Sequence, residues 1–232
     1  MSVYFPEGRN IQPFPGVGTS LYALDDPAGT VVMINEVAPG AVVPQHVHDE
    51  HQIGLCLRGG FIMEVDGRDY PIPALETAYF APGGTPHAAR NESGATAVTV
   101  DIKRKPVPGE EGQLTRSPPG AVALSLTEMR AVKGGLGVSF FVGPWFEIML
   151  SSLQPGARMP LHSHRGIQIG IGVSGTYTMQ VGEEIRPFGP EVVYHAPEYV
   201  PHSGWNDESR DATSLNVFIP PRWNLRPKRE RA

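Results

Sequence analysis

Residues 46–52 read HVHDEHQ and residues 162–168 read HSHRGIQ, so that His46-x-His48-x3-Gln52 is written again as His162-x-His164-x3-Gln168. A further histidine follows each time, His87 in the first copy and His202 in the second, each just after a proline-bounded stretch. A shift of 116 residues also carries Ala38-Pro39-Gly40 onto Gln154-Pro155-Gly156 and Ile53-Gly54-Leu55 onto Ile169-Gly170-Ile171. One residue is then lost, and a shift of 115 pairs Tyr79, Pro82, His87 and Asn91 with Tyr194, Pro197, His202 and Asn206. A duplicated structural unit is the economical explanation. Because the match includes six of the eight histidines, it directs the functional reading to metal chemistry at one or both of two related sites.

Around the motif the pattern is that of strands. Residues 31–37 and 146–153 are rich in β-branched and large apolar residues, and each run stops at a Pro-Gly turn. Residues 61–65 and 177–181 follow glycine-containing turns and close at Asp66-Gly67 or Gly182, as hairpins do. Side chains alternate across a strand, so His46 and His48 share a face, Gln52 joins them if the strand runs on regularly, and His51 points away. Prolines at 82, 86, 197 and 201 stiffen the turns that aim His87 and His202. Antiparallel strands converging four side chains on one interior point predict an all-β protein of two tandem jelly-roll barrels. Helical periodicity is scarce, and residues 125–132 are the best candidate for a short helix.

The 232 residues suffice for two domains of about 115 residues, each able to bury a core. A formal charge of -5 gives no electrostatic draw to nucleic acid or to an anionic membrane surface. No apolar run approaches the roughly 20 residues of a membrane helix, and MSVYFPEGRN has neither the basic head nor the apolar core of an export signal. The expected location is therefore the cytoplasm. Cys56 is the only cysteine, which rules out an intrachain disulfide; aligned with Gly172, it reads as a buried structural thiol. Residues 103–124 combine a basic run, paired glutamates and prolines and read as a linker, and residues 224–232 as a basic, frayed tail.

Three imidazoles and an amide oxygen form a neutral ligand set for a divalent ion of intermediate softness: Fe, Co, Ni, Mn, Cu or Zn. The candidate ligands are His46, His48, Gln52 and His87, then His162, His164, Gln168 and His202. Each glutamine is alternatively an orienter of water. Without a carboxylate the ion keeps its full charge, which favours Lewis-acid polarisation of an oxygen and attraction of a small anion, with redox the less obvious use. No organic cofactor is implied. His195, Tyr194 and Tyr79 are candidate proton carriers, with packing or a place outside the pocket as the alternative. Arg90 and Arg165 are candidate clamps for a substrate carboxylate or partners in exposed ion pairs. Phe61, Met63, Tyr177 and Met179 are candidate pocket walls or ordinary core.

The Gly40-x5-His46-x-His48 opening and the Pro82-x4-His87-x3-Asn91 closing resemble the two signature motifs of the cupin superfamily, and both recur around Gly156 and Pro197. The chain as a whole looks like a bicupin, which implies an N-terminal cupin barrel over 1–105, a linker over 106–124, a C-terminal barrel over 125–223 and a tail over 224–232. Glutamine in place of the superfamily's usual glutamate also resembles small cupins that act on unsaturated uronate sugars. ALETAYFAP (74–82), PHAARN (86–91), DIKR (101–104), FFVGPWFEIML (140–150), HSHRGIQIG (162–170) and FIPPRWN (218–224) are similar to the bicupin isomerases of bacilysin biosynthesis. That resemblance implies a divalent metal in each barrel, held by the eight ligands above. It also implies migration of a double bond in a dihydro-hydroxyphenylpyruvate, a 2-oxo acid of antibiotic biosynthesis. Two other readings stand beside it: a metal-dependent cupin dioxygenase, and a non-catalytic bicupin that binds a small molecule around structural metals. Open sheet edges make a homodimer an expected partner state.

Overall fold

The computed structural model of the protein describes residues 2–108 and 122–222. Among the described residues there is no helix, and the chain divides into two compact units, each built on two antiparallel sheets. The strands of the first are β1 (Arg9–Phe14), β2 (Val17–Ala23), β3 (Val31–Val37), β4 (Val42–His46), β5 (His51–Arg58), β6 (Gly60–Val65), β7 (Arg68–Pro73), β8 (Thr77–Ala81), β9 (His87–Arg90), β10 (Ala97–Arg104) and β11 (Ala123–Ser125). Those of the second are β12 (Arg130–Val132), β13 (Leu136–Val142), β14 (Glu147–Leu153), β15 (Arg158–His162), β16 (Ile167–Ser174), β17 (Tyr177–Val181), β18 (Glu184–Phe188), β19 (Val193–Ala196), β20 (His202–Trp205) and β21 (Ala212–Ile219).

In the first unit the larger sheet runs β1-β2-β3-β10-β5-β8-β11 and the smaller β4-β9-β6-β7; in the second the orders are β12-β13-β14-β21-β16-β19 and β15-β20-β17-β18. Inward-facing residues of the paired sheets make each core. Val37, Cys56, Met63, Val65 and Ile72 pack in the first, and Leu153, Tyr177, Met179, Val181 and Phe188 in the second. This is the double-sheet jelly roll expected from the alternating pattern. Cys56 is fully buried, its thiol donates to the Arg58 carbonyl, and burial pushes it up to about 11. At that value it is an inert structural thiol at neutral pH.

Two expectations change. The short helix over 125–132 is absent: β11 pairs with β8, and β12 with β13. Between them the Leu126 amide donates to Glu76 and the Thr127 amide to Phe140. Those donors are taken by neighbouring strands, so none is left for the i to i−4 bonds of a helix. The barrel boundaries also move. Residues 2–6 belong with the C-terminal barrel and residues 122–126 with the N-terminal one. Glu184 accepts hydrogen bonds from Ser2 Oγ and the Val3 amide, while Phe5 packs against Tyr194 with ring centroids 6.2 Å apart. The expected tail over 224–232, and residues 109–121 of the expected linker, lie outside the described residues.

Candidate metal centres

In each barrel the smaller sheet supplies two of the histidines, the turn leaving it the third, and the larger sheet the glutamine. His46 and His87 are a cross-strand pair at the ends of β4 and β9, and His162 and His202 are the same pair on β15 and β20. His48 and His164 stand in the turns that follow β4 and β15, while Gln52 and Gln168 lie on β5 and β16. The Pro82 turn is closed by a hydrogen bond from the Thr85 amide to the Pro82 carbonyl, and the Gly84 amide donates to the His48 carbonyl. Gly83 packs so closely on the Asp49 carbonyl that a Cβ there would overlap it, and Gly84 adopts φ 78°. Tyr199 takes the place of Gly84 in the second copy, at φ 61°, and its amide still donates to His164. A non-glycine residue pays about 1–2 kcal/mol for that conformation, so the shape of the turn is enforced by its surroundings.

Every candidate histidine has its Nδ1 against a backbone carbonyl. The partners are Pro44, Glu50 and Thr85 for His46, His48 and His87, at 2.9, 3.0 and 2.8 Å. They are Pro160, Arg165 and Val200 for His162, His164 and His202, at 2.8, 3.2 and 2.8 Å. A carbonyl only accepts, so Nδ1 carries the proton and Nε2 presents its lone pair to the centre of the triad. The three ligand atoms of each triad lie within 4.8 Å of one another. Nε2 of His87 and of His202 is buried with no hydrogen-bond partner, a state that buried polar atoms rarely tolerate without an ion or water. Burial lowers both imidazoles to about 4 and also pushes down His46, His162 and His164. Neutral imidazole is the ligating form.

A glutamine oxygen stands beside each triad. Gln52 Oε1 lies 3.1 Å from His48 Nε2, and Gln168 Oε1 lies 3.0 Å from His164 Nε2. Ligands at right angles on an ion with bonds of about 2.1 Å stand about 3 Å apart, so these donors sit at coordination spacing. The amide ends are anchored: Gln52 Nε2 donates to Tyr79 Oη at 2.5 Å and Gln168 Nε2 to Tyr194 Oη at 2.5 Å. Each tyrosine hydroxyl passes its own proton onward, to Asp101 in the first barrel and to Asn216 in the second. Burial raises both phenols well above their ordinary range, which keeps them neutral donors. Room for the rings comes from the matched glycines: Gly54 faces Tyr79 and Gly170 faces Tyr194 across the strands, and a Cβ on either glycine would overlap the ring.

A cavity opens beside each triad. The first encloses about 240 Å³ and is lined by Phe61, Met63, Tyr79, Arg90, Asp101 and Lys103, besides His46, Gln52 and His87. The second encloses about 500 Å³, with Met149, Met159, Met179, Tyr194, Phe218 and Arg222 beside His162, Gln168 and His202. Of the expected wall residues, Tyr177 is in the core instead, its ring 5.1 Å from Phe188 and its hydroxyl 3.2 Å from Ser214 Oγ. His195 falls on the face of β19 opposite Tyr194, outside the cavity lining, because adjacent residues of a strand point to opposite sides. Its amide donates to the Tyr4 carbonyl. His51 likewise turns from the triad and accepts the Gly83 amide on Nδ1. Arg90 grips Asp69 through two hydrogen bonds, at 2.9 and 2.6 Å, and Glu92 through a third. Arg165 is exposed, 3.9 Å from Glu198 and outside the cavity lining.

The residue that the motif does not reveal is Arg222. It lies just past β21, its guanidinium stacks 5.3 Å from the centre of the Phe218 ring, and Nη1 is 3.5 Å from His162 Nε2. Burial draws it down from its ordinary range while Glu147 and Tyr194 pull the other way, and arginine stays charged throughout. It falls in the FIPPRWN segment, beyond the last residue of the repeat.

The cupin domain profile matches residues 33–103 and again 149–218. The chain is 36% identical over 225 residues to the H2HPP isomerase of Bacillus subtilis, covering 96% of this chain and 91% of that protein. It superposes on AerE from Microcystis aeruginosa with a TM-score of 0.84 at 25% identity, over 94% of this chain and 99% of the other. An oxalate decarboxylase of Lactobacillus farciminis in complex with formate shares the fold, with a TM-score of 0.75 at 14% identity over 97% and 88% of the two chains. The chain belongs to the cupin domain family and is a bicupin enzyme.

Proposed function

We propose that this bicupin is a divalent-metal-dependent isomerase that moves a double bond in a dihydro-hydroxyphenylpyruvate-like 2-oxo acid, with the C-terminal barrel as its reaction chamber. The observation that carries the assignment is Arg222, a guanidinium 3.5 Å from a metal-facing imidazole nitrogen in the larger cavity. It is placed to hold a carboxylate next to the His162, His164, Gln168 and His202 set. The kinship at 36% identity with an isomerase named for H2HPP supports the reaction class and the substrate.

A divalent ion held by that set supplies Lewis-acid polarisation of a 2-oxo group, which eases loss of a proton along the conjugated chain. The protein's own residues bind and orient the substrate. Arg222 pairs with the carboxylate through a charge-assisted, bidentate-capable fork and so fixes the end of the substrate that is shared by all 2-oxo acids. Met149, Met159, Met179 and Phe218 form an apolar wall for the ring, of low polarity, beside which the charge on the carboxylate is felt more strongly. Tyr194 holds Gln168 by its amide and keeps the oxygen aimed at the triad. We assign Tyr194 and Tyr79 to this orienting task, since each hydroxyl already accepts from a glutamine and donates onward. Arg165, exposed and outside the cavity lining, and Arg90, gripped by Asp69 and Glu92, are left out of substrate binding.

The test is anaerobic incubation of metal-replete protein with prephenate-derived dihydro-hydroxyphenylpyruvate, followed through its conjugated-dienone ultraviolet band. Isomerisation changes the spectrum without dioxygen and with a redox-inert divalent ion. Unchanged spectra across several divalent metals, together with oxygen uptake on another substrate, would establish a dioxygenase instead. Tight binding of the substrate with no turnover would establish a binding protein.

A further inference from the structure

The tyrosine that anchors each glutamine stands on a strand whose outer side the repeat itself does not cover, β8 in the first barrel and β19 in the second. In the first barrel β11 pairs along β8, with Ala123 opposite Tyr79 and the Phe80 amide donating to the Val122 carbonyl at 2.8 Å. At the matching place on β19 the His195 amide donates to the Tyr4 carbonyl, also at 2.8 Å. Residues that precede both repeats thus do for the second barrel what β11 does for the first. The two covers differ at the residue after that carbonyl, which is Ala123 in one and Phe5 in the other. Phe5 is 3% exposed, and its ring centre lies 6.2 Å from that of Tyr194. Its segment is tied down at several points. The Glu184 carboxylate on β18 accepts from Ser2 Oγ at 2.5 Å and from the Val3 and Tyr4 amides at 2.9 and 3.4 Å, and Ser2 Oγ accepts from the Phe5 amide at 2.8 Å. The Tyr4 ring lies against Gly182, where a Cβ would overlap it, and the Arg186 guanidinium stands 5.4 Å from the centre of the Phe5 ring.

We infer that Phe5 is a positioning residue of the C-terminal centre: the docked segment 2–5 holds the Tyr194 ring, and through its hydroxyl the Gln168 side chain. This rests on the reading that His162, His164, Gln168 and His202 hold a divalent ion. The Tyr194 ring is met by Phe5 and by Phe188, whose ring centre is 5.1 Å away, while Gly170 across the strand leaves it room. Packing that locks a rotamer fixes the direction of the hydrogen bond made at its tip. Here that bond is the 2.5 Å contact from Gln168 Nε2 to Tyr194 Oη, which turns Gln168 Oε1 toward the triad. Without Phe5 a void opens beside the ring, the ring gains freedom, and the glutamine oxygen loses its fixed aim.

Two single-site proteins test the inference. His202→Ala leaves only the first ligand set and His87→Ala only the second; each is loaded with zinc, and the metal kept per chain is measured against graded chelator. In the His87→Ala protein, Phe5→Ala should lower the chelator concentration that strips half the zinc by about fivefold, the size of one weakened hydrogen bond. In the His202→Ala protein it should change nothing. Tyr194→Phe in the His87→Ala protein should cost about as much, and adding Phe5→Ala to it should cost little more, because both act through one hydrogen bond. Glu184→Ala, at a partly exposed position, releases the segment without opening the core; it should lower retention in the same protein by about twofold and serves if Phe5→Ala fails to fold. Equal losses from both ligand sets, no loss from the second, or losses from Phe5→Ala and Tyr194→Phe that simply add would overturn the inference. Absence of zinc from the His87→Ala protein with no further substitution would overturn the metal reading of that barrel itself.

Discussion

The N-terminal cavity is the smaller, about 240 Å³, and is walled in part by Arg90, Asp101 and Lys103, whereas the C-terminal cavity is about twice as large and is walled in part by methionines, Phe218, Lys133, Arg158 and Arg222. Yet the two triads present the same atoms in the same tautomer, each tied to a carbonyl two residues away or nearer. Duplication preserved the ligands, and divergence worked on the residues around them. Asp101 stands where the second copy has Asn216, and Lys103 where it has Phe218, at equivalent positions beside the glutamine strand. Function in such a pair is therefore to be sought in the surroundings of the ion, since a fold and a ligand set do not settle a reaction.

The largest effects test whether the barrels are independent in stability. Phe188 is fully buried between Tyr177 and Tyr194, with ring centroids 5.1 Å from each. Phe188→Ala should destabilise the C-terminal barrel by roughly 3–5 kcal/mol, and Ile72→Ala, at the equivalent place in the first, by roughly 2–5 kcal/mol. Denaturant melts with each barrel's metal site probed separately check this. If either substitution shifts both transitions equally, the two cores melt as one and the comparison loses its meaning.

Next in size is Arg222, the cation of the second cavity that reaches His162. Arg222→Ala should lower kcat/KM for a 2-oxo acid by about 10- to 100-fold, mostly through KM, in line with the loss of a charged hydrogen bond. Arg222→Lys should recover part of it, because the charge remains and the planar fork does not. A loss equal for carboxylate and carboxamide substrates would remove Arg222 from carboxylate binding.

A smaller effect, on the order of 1 kcal/mol, is expected from Tyr194→Phe or Tyr79→Phe, each of which frees one glutamine amide from its hydroxyl anchor. Retained metal should fall severalfold in the barrel that carries the change and stay constant in the other. The smallest effect concerns pH. Burial holds His87 and His202 at about 4, below the ordinary value of 6.5. Between those values the unfolded chain binds more protons than the folded one, so the metal-free protein loses stability as pH falls from 6.5 toward 4. Thermal melts across that range should show a declining Tm, and a flat profile would mean that the imidazoles are protonated in the fold.

Much of the site was legible in the sequence because metal ligation is local and periodic. His-x-His, a glutamine four residues on and a histidine fixed by a stiff turn survive as pattern in one dimension, although the single strand face expected for them is replaced by His46 at the end of β4, His48 in the turn and Gln52 on β5 of the other sheet. Alternation also identified His51 as facing away, and the same rule decides between Tyr194 and His195, adjacent residues that cannot both reach one cavity. What stayed hidden depends on tertiary packing. Residues 2–6 carry no strand signal and find their place only because Glu184 and Tyr194 offer partners far along the chain. The stretch 125–132 has too little periodicity to choose helix or strand, and neighbouring strands choose for it. Arg222 has no counterpart inside the first repeat's motif, so no internal comparison singled it out.

The most direct measurement is anaerobic turnover of dihydro-hydroxyphenylpyruvate by the two single-site proteins, each with its zinc content measured. The His87→Ala protein, with metal confined to the C-terminal set, should convert the substrate, and the His202→Ala protein should not. Conversion by the His202→Ala protein alone would place the chemistry in the N-terminal barrel and contradict the assignment.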